Sequence, residues 1–322
     1  MSSSGIDRAT LGEFEQGLNV RHPERSRIPA RVLGYGEIST VLEIQAAQID
    51  DLAYKRMPMF RTEAEVTQYA ALYEEYLDVL NNRCGVHVVP GELVKLPGAQ
   101  GRTVAYITQQ KLPPASIAHL ALQHLPADEV IRLIQAVLRE TQKVFDFNHA
   151  HSNELELGFD GQISNWAIIG FEAETQRLPD EIQLVYLDTS TPLLRKGGHE
   201  QLDPELFLRS APFFLAWLLR LLYLDEVLTR YYDFRRVALD LVANFYKEQR
   251  ADLIPTLIDL VNATFAAQSD QFKPLTAAEV AAYYKQDAQL WSAYFTARKV
   301  DRFLHRLIGR EYPYILPENI KR

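Results

Sequence analysis

LELGFDGQISNWAIIG (residues 155–170) sets Asp160 and Asn165 five positions apart, in a short loop that opens after a strand-like LEL and closes into the apolar strand WAII. In a phosphoryl-transfer site such a loop offers a carboxylate to receive a hydroxyl proton and an amide oxygen to hold magnesium. The same letters also describe an Asp-Gly turn with an Asn cap, so the surroundings decide. Immediately upstream, residues 127–148 form the clearest helical pattern of the chain, with Val130, Leu133, Ile134, Val137, Leu138 and Val144 on one apolar face. Downstream, LVYLDTSTP (184–192) is an apolar strand that delivers Asp188 to its end, ahead of small hydroxyl residues and a proline. A carboxylate there suits magnesium between nucleotide phosphates, or equally an N-cap leading into the next helix.

Towards the N-terminus the character is β-rich. RVLGYG, TVLEIQ and LAYKRM read as an antiparallel hairpin plus a third strand. Residues 62–80 carry Val66, Tyr69, Tyr73, Leu77 and Leu80 at helical spacing. Two further strands are expected in GVHVVPGELVKL (85–96) and RTVAYITQQ (102–110), and after LPPAS (112–116) long helices take over. The organisation expected is an N-terminal extension at 1–27 with a short helical pattern at 11–18, a β-rich lobe at 28–111 and a helical lobe at 112–322. The most apolar run, APFFLAWLL (211–219), is too short to span a bilayer and reads as a buried helix.

Within the β-rich part, LGYGEISTV (33–41) places Gly34 and Gly36 between two strands. Missing side chains there would let backbone N–H groups approach a phosphate, although a plain hairpin turn has the same look. Lys55 follows nineteen residues after Gly36. Strand alternation puts Ala53 and Lys55 on one face and Tyr54 and Arg56 on the other. A small residue beside a lysine suits a cleft in which an adenine lies against the first and phosphates meet the second. A surface lysine on an edge strand is the ordinary alternative. The expected acidic partner of Lys55 from the following helix is Glu65, with Glu63 as second choice, and Asp188 is the alternative partner within reach. His149 and His151 form an H-x-H pair without a third ligand at suggestive spacing, and read as the end of the long helix, where imidazole suits the dipole.

Composition narrows the class. A formal net charge of −8 and a pI near 5.6 argue against nucleic acid or an anionic membrane as a charge-driven partner. The single cysteine, Cys84, rules out an intramolecular disulfide and a cysteine-based zinc cluster, and points to a reducing, cytoplasmic setting. The N-terminal segment lacks the pattern of a signal peptide.

Taken in order, these segments resemble the protein-kinase-like superfamily, nearer the aminoglycoside phosphotransferase and choline kinase type than the signalling protein kinases. The likeness covers residues 28–192. It implies an α+β, two-lobed kinase-like fold with a small β-rich N-lobe and a larger helical C-lobe, ATP and Mg2+ as cofactors, and a small hydroxylated metabolite as acceptor. By that likeness Gly34 and Gly36 would cover the phosphates, with Ser39 in the place of a third glycine. Val41 and Ala53 would lie against the adenine, and Lys55 would hold the α/β-phosphates. Gln109, Gln110 and Lys111 would form the interlobe hinge, Asp160 would be the catalytic base, and Asn165 and Asp188 would bind magnesium.

The sequence also departs from the family pattern. Gly158-Phe159 precedes Asp160 where His-Arg or His-Gly is usual, and Thr189-Ser190 follows Asp188 in place of Phe-Gly. No Ala-Pro-Glu segment follows, and EAETQRLPDE (172–181) lengthens the hairpin between Asn165 and Asp188. The charged chemistry is intact, which favours an active enzyme over a nucleotide-binding pseudokinase or scaffold; phosphoryl transfer is the leading reading, with adenylyl transfer at the same nucleotide site as a variant. Asp203, Glu205, Tyr231, Tyr232 and Arg235 are candidate acceptor contacts by composition alone.

Overall fold

The computed structural model describes residues 6–36, 38–47, 49, 51–212, 228–266 and 273–317. The expected helix at 211–219 therefore falls almost wholly outside the described residues.

Strands β1 (Ala30–Tyr35), β2 (Thr40–Ile44), β3 (Leu52–Met57), β4 (Gly91–Pro97) and β5 (Thr103–Gln110) form one antiparallel sheet in the order β1-β2-β3-β5-β4. A helix interrupts the strands between β3 and β4, as the tyrosine spacing predicts. The two faces of the sheet bury different partners, because strand side chains alternate. Tyr54 and Tyr106 pack with Leu11 and Phe14 of helix α1 (Arg8–Gln16), and Met57, Ala105 and Ile107 pack with Val66, Tyr69 and Tyr73 of helix α2 (Glu63–Asp78). The segment read as an extension thus lends its apolar face to the sheet.

The second lobe is mainly helical, with α3 (Ala118–Ala121), α4 (Ala127–Ala150), α5 (Glu205–Leu208), α6 (Phe234–Lys247), α7 (Ile254–Ala266) and α8 (Ala277–Leu307). The predicted apolar face of α4 is buried in one large cluster with Val242 and Phe245 of α6 and Leu257 and Val261 of α7. Between α4 and α5 run short strands: β6 (Leu155–Leu157), β7 (Trp166–Ile168), β8 (Leu184–Tyr186), β9 (Leu194–Lys196) and β10 (His199–Glu200), with β7 paired to β8 and β6 to β9. This is an α+β, two-lobed architecture, with a small β-rich N-lobe and a larger, mainly helical C-lobe, as expected. Among the described residues, no helix is long and apolar enough to cross a membrane.

Beyond α8 the chain returns to the β lobe. Tyr312, Tyr314 and Leu316 join the apolar cluster of α2, and Ile315 joins that of α1. Arg56 ties the two ends of the chain together: its guanidinium donates to both carboxylate oxygens of Glu15 (2.8 and 2.7 Å) and to the carbonyl of Pro313 (2.7 Å). The Tyr106 hydroxyl also donates to Glu15.

Candidate active site

The loop carrying Asp160 is pinned by backbone contacts. Gly158 N–H donates to the carbonyl of Leu193 (2.9 Å), Phe159 N–H donates to that of Tyr231 (2.8 Å), and the Tyr76 hydroxyl donates to the carbonyl of Gly158 (3.0 Å). A Cβ at Gly158 would stand 2.7 Å from Leu193 Cβ, so only glycine fits. The Phe159 ring fills the space beneath the loop against Trp166 and Tyr186, with centroids 5.8 and 4.6 Å away. The carbonyl of Asp160 accepts from the Tyr186 hydroxyl (3.0 Å) and from Asn165 Nδ2 (3.2 Å), and its carboxylate accepts from Gln162 N–H (3.1 Å).

Pairing of β7 with β8 brings the other acid alongside. Trp166 lies opposite Tyr186, and Leu187 N–H donates to the carbonyl of Asn165 (2.8 Å), so Asn165 and Asp188 emerge at the same end of the hairpin despite the insertion between them. Lys55, on β3 of the other lobe, closes the group, its Nζ 2.6 Å from Asp188 Oδ1. The side chains are 13% and 31% exposed, so the pair bridges the lobes at the cleft edge. Ser190 donates its N–H and hydroxyl to the same oxygen (3.3 and 3.0 Å).

The two carboxyls are driven in opposite directions. Burial, then the nearby Asp240 and Asp188 carboxylates, push Asp160 up to about 7. Burial also acts on Asp188, but the Lys55 ammonium and the Ser190 hydrogen bonds outweigh it and hold that carboxyl below the usual range. A pair of acids split in this way is the pattern by which one is reserved for proton transfer and the other stays ionised.

A family model described as a family of unknown function, DUF6206, matches residues 19–302. The chain belongs to this family. No curated protein matches it. Among solved structures it is similar to the GDP complex of aminoglycoside 2'-phosphotransferase-IIIa, at 12% identity over 82% of this chain and 100% of that one with a TM-score of 0.35. It is also similar to WaaP in complex with acyl carrier protein, at 14% identity over 71% of this chain and 89% of that one with a TM-score of 0.30.

In this DUF6206 chain the remaining expected residues are placed as follows. Val41 lies opposite Lys55 across β2–β3, and Ala53, on the same strand as the lysine, lies opposite Gln109 across β3–β5. Gln109 Nε2 donates to the carbonyl of Leu187 (3.1 Å), tying the sheet to the Asp188 strand. Gln110 is exposed, and Lys111 turns its ammonium onto Glu43 of β2 (2.7 Å). Gly34 sits at an irregularity in the β1–β2 register. Gly36 N–H donates to the carbonyl of the buried Ser39 (3.0 Å), which closes the turn and occupies one donor expected to face a phosphate.

The expected pairing of Lys55 with Glu65 or Glu63 is not what the structure has. Glu65 takes a bidentate contact from Arg209 (2.7 and 3.0 Å) and Glu63 pairs with Lys95. The reason is local: Thr62 caps α2 through Glu65 N–H, while the Glu65 carboxylate reaches back to Arg61 N–H (2.7 Å). The Thr-x-x-Glu pattern, legible in the sequence, thus gives a cap of the capping-box type in which the carboxylate returns to the residue before the N-cap, and it commits the glutamate to the helix end. Tyrosines on α2 take over the contacts to the Asp188 turn. The Tyr69 hydroxyl donates to the carbonyl of Ser190 (2.7 Å), and the Tyr73 hydroxyl lies 3.3 Å from Thr189 Oγ1.

Of the five acceptor candidates, Tyr231 borders the cleft beside Asp160. Arg235 pairs with Glu279, the Tyr232 hydroxyl donates to Glu200, and Asp203 accepts from Glu205 N–H. His151 faces the carbonyl of Phe147 at the end of α4. Sequence reading missed Arg230, Asp240 and Tyr283, which line the same cleft. The signal for Asp240 was present as an acid within the apolar run VALDLVANF (237–245).

The oxygen donors fit magnesium. Asp188 and Asn165 offer a carboxylate and a carboxamide, hard ligands that leave most of an octahedral shell to water and phosphate, as this ion prefers. Among the described residues no group of three or more His, Cys, Asp or Glu side chains is placed to hold a metal by itself.

Proposed function

We propose that this protein is an ATP- and Mg2+-dependent phosphotransferase that acts on a hydroxyl group of a small metabolite. The observation that supports the reading is the juxtaposition of a proton-hungry Asp160 with the Lys55–Asp188 pair across the cleft. In this reading residues 28–111 are the nucleotide lobe and 112–322 carry the catalytic loop and acceptor region. Lys55 holds the α/β-phosphates, with Gly34, Gly36, Ser39, Val41 and Ala53 around the nucleotide. Magnesium, when held by Asn165 and Asp188, neutralises charge on the phosphates. The acceptor oxygen forms a bond to the γ-phosphorus as the bond from that phosphorus to the bridging oxygen of ADP breaks, and the acceptor proton passes to an Asp160 oxygen. We assign the protein to the cytoplasm on the strength of its sole cysteine, Cys84, which is buried and free.

A nucleotide-binding scaffold without turnover is the second reading, favoured by the closed turn at Gly36 and by the commitment of Glu65 to Arg209. Calorimetry separates the two. ATP affinity should fall when EDTA removes magnesium and when Asp188 is replaced by Ala. Equal binding with and without the metal favours the scaffold.

The pH profile is a second test. Asp160 must be ionised to accept a proton, so kcat/KM should rise with pH through an apparent pKa near 7. Asp240→Asn removes a carboxylate that disfavours that ionisation and should move the limb to lower pH. An unmoved limb would assign the titration to another group.

A further inference from the structure

The cleft beside Asp160 lies between the catalytic loop, the turn at Arg230–Tyr232, α6 and α8, and it is lined by charges of both signs. Asp240 is 9% exposed and accepts from Gln162 Nε2 (2.7 Å), which couples it to the catalytic loop. Asp160 and Asp240 both border the space, with Asp287 adding negative charge behind Asp240.

Arg230 supplies the opposite sign. Its guanidinium lies over the Tyr231 ring, 4.7 Å from the centroid, and Nη2 donates to the Tyr231 hydroxyl (2.6 Å). Its Nε is buried and has no hydrogen-bond partner. A buried donor on a permanently charged group is costly unless something supplies the acceptor. An anionic ligand on its own would meet the two aspartates, and a cationic one would leave the Arg230 N–H unmet. A molecule carrying both charges satisfies both walls.

We infer that this cleft takes a small zwitterionic alcohol as the phosphoryl acceptor, with its acid group on Arg230, its ammonium on Asp240 and its hydroxyl at Asp160. The inference rests on the phosphotransferase reading and names the substrate class of that site. The transfer remains the one already described: the hydroxyl oxygen takes the γ-phosphoryl group, ADP leaves, and Asp160 takes the proton.

Matched ligands test it without altering the protein. L-Serine and L-homoserine can be compared by calorimetry with their deaminated forms, 3-hydroxypropanoate and 4-hydroxybutanoate, and their decarboxylated forms, 2-aminoethanol and 3-aminopropan-1-ol. At least one zwitterion should bind about tenfold or more tightly than both of its partners, because each truncation leaves a buried polar group unmet. Arg230→Gln should reduce binding of that zwitterion until it is no tighter than that of the amine. Arg230→Lys, which keeps the charge, should fall between. An amine or hydroxy acid that binds as tightly as the zwitterion overturns the inference, as does binding by none of the six.

MgATP titrated into the same preparation keeps the two proposals apart. A protein that binds MgATP but shows no zwitterion preference loses this inference alone. One that binds the zwitterion but not MgATP loses the acceptor role together with the phosphotransferase reading.

Discussion

Replacing Asp160 by Asn will lower turnover by about 10²-fold or more while MgATP affinity stays nearly unchanged, because a positioned base acts on the transition state and not on the bound nucleotide. Lys55→Ala will instead weaken nucleotide positioning, since it removes the ammonium that bridges to Asp188. Unfolding will not explain the Asp160→Asn loss. The carboxyl titrates near 3.8 in the unfolded chain and about 7 in the folded one, so the native state binds the extra proton between these limits. Stability therefore falls as pH rises through that window, and the deficit is complete above it. Asparagine carries no such deficit, so at pH 8 the variant should melt no lower than the parent protein. Full turnover by Asp160→Asn would remove the residue from the mechanism.

Arg56→Ala will cost about 3–5 kcal/mol of folding stability, the range expected when one partner of a buried ion pair is lost and the other stays buried. Arg56 and Glu15 side chains are 5% and 4% exposed, so water cannot replace the guanidinium. The carbonyl of Pro313 loses its donor as well. Combining Arg56→Met with Glu15→Gln should recover much of the loss, because the neutral amide can still accept from Tyr106 and no charge is left stranded. Urea denaturation measures both. A loss below about 1 kcal/mol for Arg56→Ala would place the pair among surface-type contacts.

The parts of this fold that were legible in the sequence are those governed by periodicity. Alternation along LAYKRM separated Lys55 from Arg56 correctly, and the tyrosine spacing marked α2, because each pattern reports one element facing one core. What alternation could not reveal was the partner of each face. Arg56 meets residues 41 and 257 positions away in the chain, and no local pattern encodes such a meeting. The Lys55–Glu65 expectation gave way to the Thr62–Glu65 cap, a local signal that outranks an analogy of position. Asp160, Asn165 and Asp188 could be named because short loops after strands place them. The cleft beyond Asp160 escaped notice because Arg230, Asp240 and Tyr283 come from three separate segments.

The hydroxyls of Tyr69, Tyr73 and Tyr76 fasten α2 to backbone at Ser190 and Gly158 and to the Thr189 side chain through uncharged contacts. Kinase-type sites that rely on a lysine–glutamate pair can be toggled by swinging the helix, because a lone ionic contact breaks and reforms readily and is weakened by salt. Here a swing would strand three buried hydroxyls at once. The helix has no cheap off position, since these neutral contacts would have to break together with its ion pairs to Arg209 and Lys95. Under the proposed phosphotransferase reading such a site lacks a helix-swing switch, and control would fall to the supply of nucleotide and acceptor.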